Sequence, residues 1–148
     1  MKNLSVEQPS EFNKQTPSGV VIIIIQNNKY LLVKQNKQPY KDCWAPVHGT
    51  IEPNETEENA VIRETLEEIG LAVEPIKKLG ITKADYKVKD LHWWLAAYKK
   101  GEINIDHKEI SECGYFSKNE LLNLKLLPMT KEFFLTYNFD SFIHPLKN

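Results

Sequence analysis

Long apolar runs are missing from this chain. The longest, Val20 to Ile25, is six residues, whereas a helix needs roughly 20 to cross a bilayer. Met1 to Thr16 is polar and has no apolar centre of the kind a secretion signal carries. The expectation is therefore a cytoplasmic protein with no membrane partner. Cysteine is scarce as well: Cys43 and Cys113 stand 70 positions apart, which leaves neither a CxxC zinc pair nor a disulfide framework. Nor does one sign of charge prevail, since 19 Lys and Arg meet 20 Asp and Glu for a net charge of −1. Nothing then draws the chain to a nucleic acid polymer or an anionic surface in general, and its ligand must be recognised locally.

What is present fits one ordinary domain. With 148 residues, 41% hydrophobic and 26% charged, the chain is long enough to bury a substantial core without staples. Residues 1–16 read as a flexible arm or an added edge segment, and 17–148 as the domain. Val20 to Ile25 is a β-branched run suited to a strand buried on both faces, and Tyr30 to Val33 answers it across a turn at Asn27-Asn28. Trp44 to Val47 is a short extended piece. Pro75 to Thr82 and Leu91 to Lys99 read as strands, the second placing Trp93 and Trp94 on opposite faces, and Tyr115-Phe116 ends another. Ser117 is expected to cap a short helix through Leu124, and Thr130 to Tyr137 to form a last helix. Mixed strands around one long helix and a later one suggest an α/β fold, a sheet layered between helices.

The chemistry concentrates in Gly49 to Leu71, GTIEPNETEENAVIRETLEEIGL. Thr56 to Ile69 has no glycine or proline and reads as helix, capped by Thr56 or Asn54 and stopped by Gly70. At 100° per residue, Glu64, Glu67 and Glu68 share one face, with Ile62, Leu66 and Ile69 opposite as the expected core stripe. Three like charges on adjacent turns repel. Arg63 can neutralise and orient one carboxylate, but a hard divalent cation with oxygen ligands answers the rest better, magnesium first and manganese as its substitute. A solvated acidic helix face would explain the glutamates alone, though not Gly49, Glu55, Arg63 and Gly70 at matched intervals.

This segment resembles the Nudix box, GX5EX7REUXEEXGU with U apolar, of the Nudix hydrolase family. All its charged and glycine positions are met; Thr65 stands where an aliphatic residue is usual, and His48 precedes Gly49 where many relatives have a second glycine. The resemblance implies an α/β/α sandwich with a mixed β-sheet over about residues 18–125. It implies Glu64, Glu67 and Glu68 as magnesium ligands, the backbone carbonyl of His48 as another, and Glu64 as the group acting on water. Arg63 would fix the carboxylate array, Glu55 would be structural, and Gly49 would allow a tight backbone turn. A further acid from outside the box is expected at Glu109, or failing that Glu112.

Substrate contacts are read from residue type alone: Trp44, Tyr86 or Trp93 as stacking surfaces for a base, Lys34 or Lys41 for phosphates. Tyr86 resembles the downstream tyrosine of relatives that act on dinucleoside polyphosphates. The expected activity is magnesium-dependent cleavage of the phosphoanhydride in a nucleoside diphosphate linked to another moiety, such as a nucleoside triphosphate, a dinucleoside polyphosphate or a nucleotide sugar. The partner would be a small-molecule nucleotide, with homodimerisation left open. The competing reading is a catalytically silent Nudix-like domain that senses a nucleotide or binds a partner.

Overall fold

A computed structural model describes residues 15–143; most of the expected N-terminal arm lies outside the described residues. Strand β1 (Gly19–Gln26) turns through Asn27 and Asn28, both at positive φ (52° and 60°), into the antiparallel strand β2 (Lys29–Gln35). This is the two-residue hairpin geometry that Asn tolerates. There follow β3 (Trp44–Ala45), β4 (Val47–Thr50), helix α1 (Glu57–Ile69), β5 (Ala72–Thr82), β6 (Leu91–Lys100), β7 (Ile110–Phe116), and helices α2 (Lys118–Leu121) and α3 (Pro128–Thr136).

The sheet runs β3-β2-β1-β6-β5, with β4 also pairing β1 and β7 pairing β2. It is mixed, because β1 and β6 are parallel while the other named pairs are antiparallel. Strand alternation splits the core in two. Val20, Ile22 and Ile24 pack with Val47, Val61 and Ile69 on the α1 side. Val21 and Ile23 pack with Trp93, Leu121, Phe133 and Phe134 on the α2 and α3 side. The fold is α/β, helices covering both faces of the sheet.

Trp93 and Trp94 do divide between these faces. Trp93 stacks on Phe133 at 3.9 Å, while Trp94 Nε1 donates to Glu57 Oε1 at 2.8 Å and ties β6 to the first turn of α1. Strand β5 begins three residues earlier than read and contains Pro75; it is an end strand beside β6, with a register shift after Pro75, so the missing N–H interrupts little. Helix α3 begins at Pro128, a favoured first-turn proline, rather than at Thr130.

Helix α1 has the expected ends and an unexpected phase. Thr56 Oγ1 accepts from Asn59 N at 3.0 Å, and Gly70, at φ 76°, donates to Leu66 O. The buried stripe, however, is Ala60, Val61, Thr65 and Ile69, whereas Ile62 and Leu66 are exposed (37% and 55%). Glu64 and Glu68 fall on the same inward sector as Val61 and Thr65, so the helix is rotated to bring carboxylates, and not Ile62 and Leu66, against the body of the protein.

Thr65 is wholly buried and its hydroxyl donates to Val61 O at 2.8 Å. That carbonyl already takes part in the helix ladder, so removing the hydroxyl orphans nothing. Thr65→Val should therefore raise stability by up to about 1 kcal/mol, or a few degrees in Tm, and leave activity within about twofold. A thermal melt beside a rate measurement checks both.

Candidate active site

A cleft of about 540 Å³ opens where β4, the inward face of α1, the segment 106–110, the end of β2 and the loop 86–88 meet. Its floor is set by one arginine. Arg63 Nε and Nη2 grip both oxygens of Glu55 at 2.7 and 2.9 Å, Nη2 reaches Thr50 O at 2.8 Å, and Nη1 reaches Glu64 Oε2 at 3.0 Å and Glu67 Oε1 at 3.2 Å. Paired forks of this kind fix orientation as well as charge. Glu55 also accepts from Glu52 N at 3.0 Å. Its bond to Arg63 holds its carboxyl below the usual range, consistent with a structural anchor.

Glu64 lies against Gly49. A Cβ at Gly49 would stand 2.0 Å from Glu64 Cδ and 2.3 Å from each carboxylate oxygen. Gly49 sits in β4 opposite Val20, and its φ is not positive. The expectation of a glycine needed for a tight turn is thus corrected: the glycine is there because a carboxylate occupies the space its side chain would fill.

Burial pushes the Glu64 carboxyl up, with Arg63 opposing the rise. Glu68 is pushed up further, first by burial and then by the charges of Glu64 and Glu109. Glu68 Oε1 is buried and has no hydrogen-bond partner. A carboxylate oxygen enclosed beside other carboxylates is costly unless a cation meets it. Glu67, by contrast, is 60% exposed at the rim.

Among the described residues no three acidic or imidazole groups already converge at ligand spacing; Glu64 and Glu67 are turned toward Arg63. The donors that face the cleft are nonetheless carboxylate oxygens, which suit magnesium or manganese. The unpartnered Glu68 Oε1 is the observation that the chain fits such an ion. His48 Nδ1 lies 2.9 Å from Pro46 O and must donate to it, and burial pushes the ring pKa down. With Nδ1–H engaged just upstream of the strand, Nε2 and the backbone carbonyl are the two groups this residue could lend to a metal, and the carbonyl oxygen is the one that suits magnesium.

Glu109 is brought to the cleft. Asp106 N donates to Glu68 O and Asn36 N to Glu109 O, both at 2.9 Å, pinning this segment between α1 and the end of β2. Lys37 Nζ holds Glu109 Oε2 at 2.7 Å. Glu112 is not brought there: it lies on β7 and accepts from Lys34 Nζ at 3.3 Å. Tyr86 lines the cleft, its ring 5.2 Å from that of Tyr40.

Lys34 and Trp44 stand outside the cleft lining, as do Trp93 and Lys41. Lys34 is spent on Glu112, Trp44 packs edge-on against Phe116 at 5.1 Å, and Trp93 is core. The lysines that do line it are Lys37 and Lys87, which residue type alone does not distinguish from the other surface lysines.

The family model for the NUDIX domain matches residues 15–137. The chain belongs to the Nudix hydrolase family. In Nudix terms the carboxylate cluster above is the box, with Gly49 and Glu64 locked together and Arg63 as its tie. An NAD-capped RNA hydrolase NudC of Vibrio parahaemolyticus is 28% identical over 101 residues, covering 68% of this chain and 39% of that protein. The chain thus spans about two fifths of the length of such relatives. A MutT NUDIX hydrolase from Burkholderia pseudomallei superposes with a TM-score of 0.75 at 25% identity, over 84% of this chain and all of that one. An ADP-ribose pyrophosphatase from Streptococcus suis shares the fold (TM-score 0.64, 24% identity, 79% of this chain and 83% of that one). No helix among the described residues is long and apolar enough to cross a membrane.

Proposed function

We propose that the chain is a magnesium-dependent pyrophosphohydrolase, with manganese able to substitute, that cleaves a nucleoside diphosphate linked to a second moiety. The observation that carries this reading is the buried, unpartnered Glu68 Oε1 beside a Glu64 carboxylate packed on Gly49. When bound, a divalent cation would supply charge neutralisation for phosphate oxygens and activation of the attacking water. Glu64, Glu67, Glu68 and the His48 carbonyl are the groups that would hold it.

The remaining roles fall to the side chains themselves. Arg63 donates to Glu64 Oε2, which leaves Glu64 Oε1 to accept a proton from water, and a carboxylate whose pKa is raised is the better base. Glu109, across the cleft on the 106–110 segment, is the second acid able to take that proton. Tyr86 offers an aromatic face at the substrate end. Against the silent-domain reading stands the retention of every acid of the box, which a domain without catalysis would be free to lose.

The test is a panel of nucleoside triphosphates, dinucleoside polyphosphates, nucleotide sugars and ADP-ribose with magnesium or manganese, the products identified by mass. The names of the relatives add an NAD-capped RNA to the panel. A nucleoside monophosphate with a phosphorylated co-product is expected; no phosphate-bearing product after hours with either cation would favour the silent domain.

A further inference from the structure

The cleft is acidic, yet its substrate must be an anion if the proposed function holds, and on that reading we infer that Lys87 is the cleft's substrate-phosphate contact, presented by a strained turn. Three cations line the cleft: Arg63, Lys37 and Lys87. Arg63 is saturated by Glu55, Glu64, Glu67 and Thr50 O. Lys37 is held by Glu109 at 2.7 Å. Lys87 is exposed and takes part in none of the described ion pairs or side-chain hydrogen bonds. It is the ammonium group left for a ligand.

The backbone beneath it is unusual. Lys87 has φ 74°, and Val88 N donates to Tyr86 O at 2.8 Å, closing a three-residue ring around Lys87. This is the γ-turn of positive φ, rare and strained, in a region that favours glycine or asparagine. Strain of this sort persists where the surroundings over-determine it. Here both flanks are fastened. Asp85 accepts from Met129 N at 3.1 Å at the start of α3, and the Tyr86 ring packs against Tyr40. Beyond the turn, Val88 is buried, Lys89 N donates to Pro17 O at 3.0 Å, and Asp90 O accepts from Gly19 N at 2.9 Å.

The exposed Lys87 side chain gains no packing from this arrangement; the turn's effect is to set its position. The turn places Lys87 between two cleft-lining neighbours, Tyr86 and Val88, in the same cleft that His48 lines. His48 adjoins Gly49, which touches Glu64. A polyphosphate chain reaching across the cleft from the box carboxylates would therefore meet Lys87 without first breaking an ion pair, and an aromatic face at Tyr86 lies next to it for the remainder of the substrate.

The turn allows a test in which folding and charge separate. Lys87→Gly removes the ammonium but suits the positive φ, so its melting temperature should equal or exceed that of the native chain. Lys87→Arg keeps the charge. Calorimetric titration with a methylene-bridged nucleoside triphosphate and magnesium should show Lys87→Gly binding about tenfold more weakly and Lys87→Arg within about threefold of the native chain, while the phosphate-free nucleoside binds all three alike. Equal triphosphate affinity for Lys87→Gly and the native chain would overturn the assignment of Lys87 and leave the hydrolase reading standing. A native chain that binds neither the triphosphate nor any member of the substrate panel would overturn both. Loss of affinity in Lys87→Gly with no turnover of any substrate would retain the phosphate contact and overturn the hydrolase reading alone.

Discussion

Glu68→Gln is expected to lower kcat/KM by about 10³-fold with the fold intact, the scale typical of removing one preorganised electrostatic partner of the reaction. Glutamine keeps the length and shape of the side chain and deletes the charge, so the loss reports on cation capture rather than packing. The same substitution should move stability the other way when divalent ions are chelated. Burial and neighbouring carboxylates raise the Glu68 pKa in the folded protein, so the folded state retains a proton that the unfolded chain gives up. The contribution of this group to stability is thus complete below the ordinary carboxylate pKa and is lost as pH rises through the folded value. At neutral pH the chelated variant should melt a few degrees above the native chain, because about 1 kcal/mol or more of the cost of a buried carboxylate among other carboxylates is removed with its charge. That advantage should vanish toward about pH 4. Magnesium should raise the melting temperature of the native chain and do much less for the variant. Native-like turnover in the variant, with an undiminished magnesium shift, would remove Glu68 from the metal site.

How far these features could be read beforehand depended on the physics behind each. Val20 to Ile25, the Asn27-Asn28 turn, the Thr56 cap and the Gly70 stop are local choices, written in propensity and backbone sterics, and they stand as read. The box residues were legible because their spacing is a joint constraint. The rotation of α1 was not legible, because a periodicity argument sends charges outward and apolar residues inward. Here Glu64 and Glu68 are inside while Ile62 and Leu66 are outside. A helix that buries carboxylates for use inverts the assumption on which its phase is assigned. Lys34 and Lys87 differ in nothing that composition records; only the pairing of β2 with β7 shows that Lys34 meets Glu112. Asp85 is similar: its capping of α3, 44 residues away, is a long-range bond with no local signature.

Gly49→Ala carries the second large effect, and its interest lies in how little of the protein it should disturb. The added methyl would coincide with the Glu64 carboxyl, at 2.0 Å from Cδ, a separation no Cβ sustains. What must move is the end of a flexible side chain and not backbone, so the stability cost should stay near 1–2 kcal/mol. The functional cost should not. Glu64 is held on its other side by Arg63 at 3.0 Å, and Arg63 is itself committed to Glu55, so a displaced carboxylate has no second position with the same partners. Activity should fall by about 10²-fold or more, as for other losses of a positioned acid or base, while the melting temperature drops only a few degrees. Shortening the displaced group tests the cause. Glu64→Asp withdraws the carboxyl by one methylene, so the double variant Gly49→Ala with Glu64→Asp should be clearly more active than the two single losses multiplied together, the mark of two residues that compete for one space. Strict multiplicativity would mean that the contact between glycine and carboxylate is incidental to catalysis.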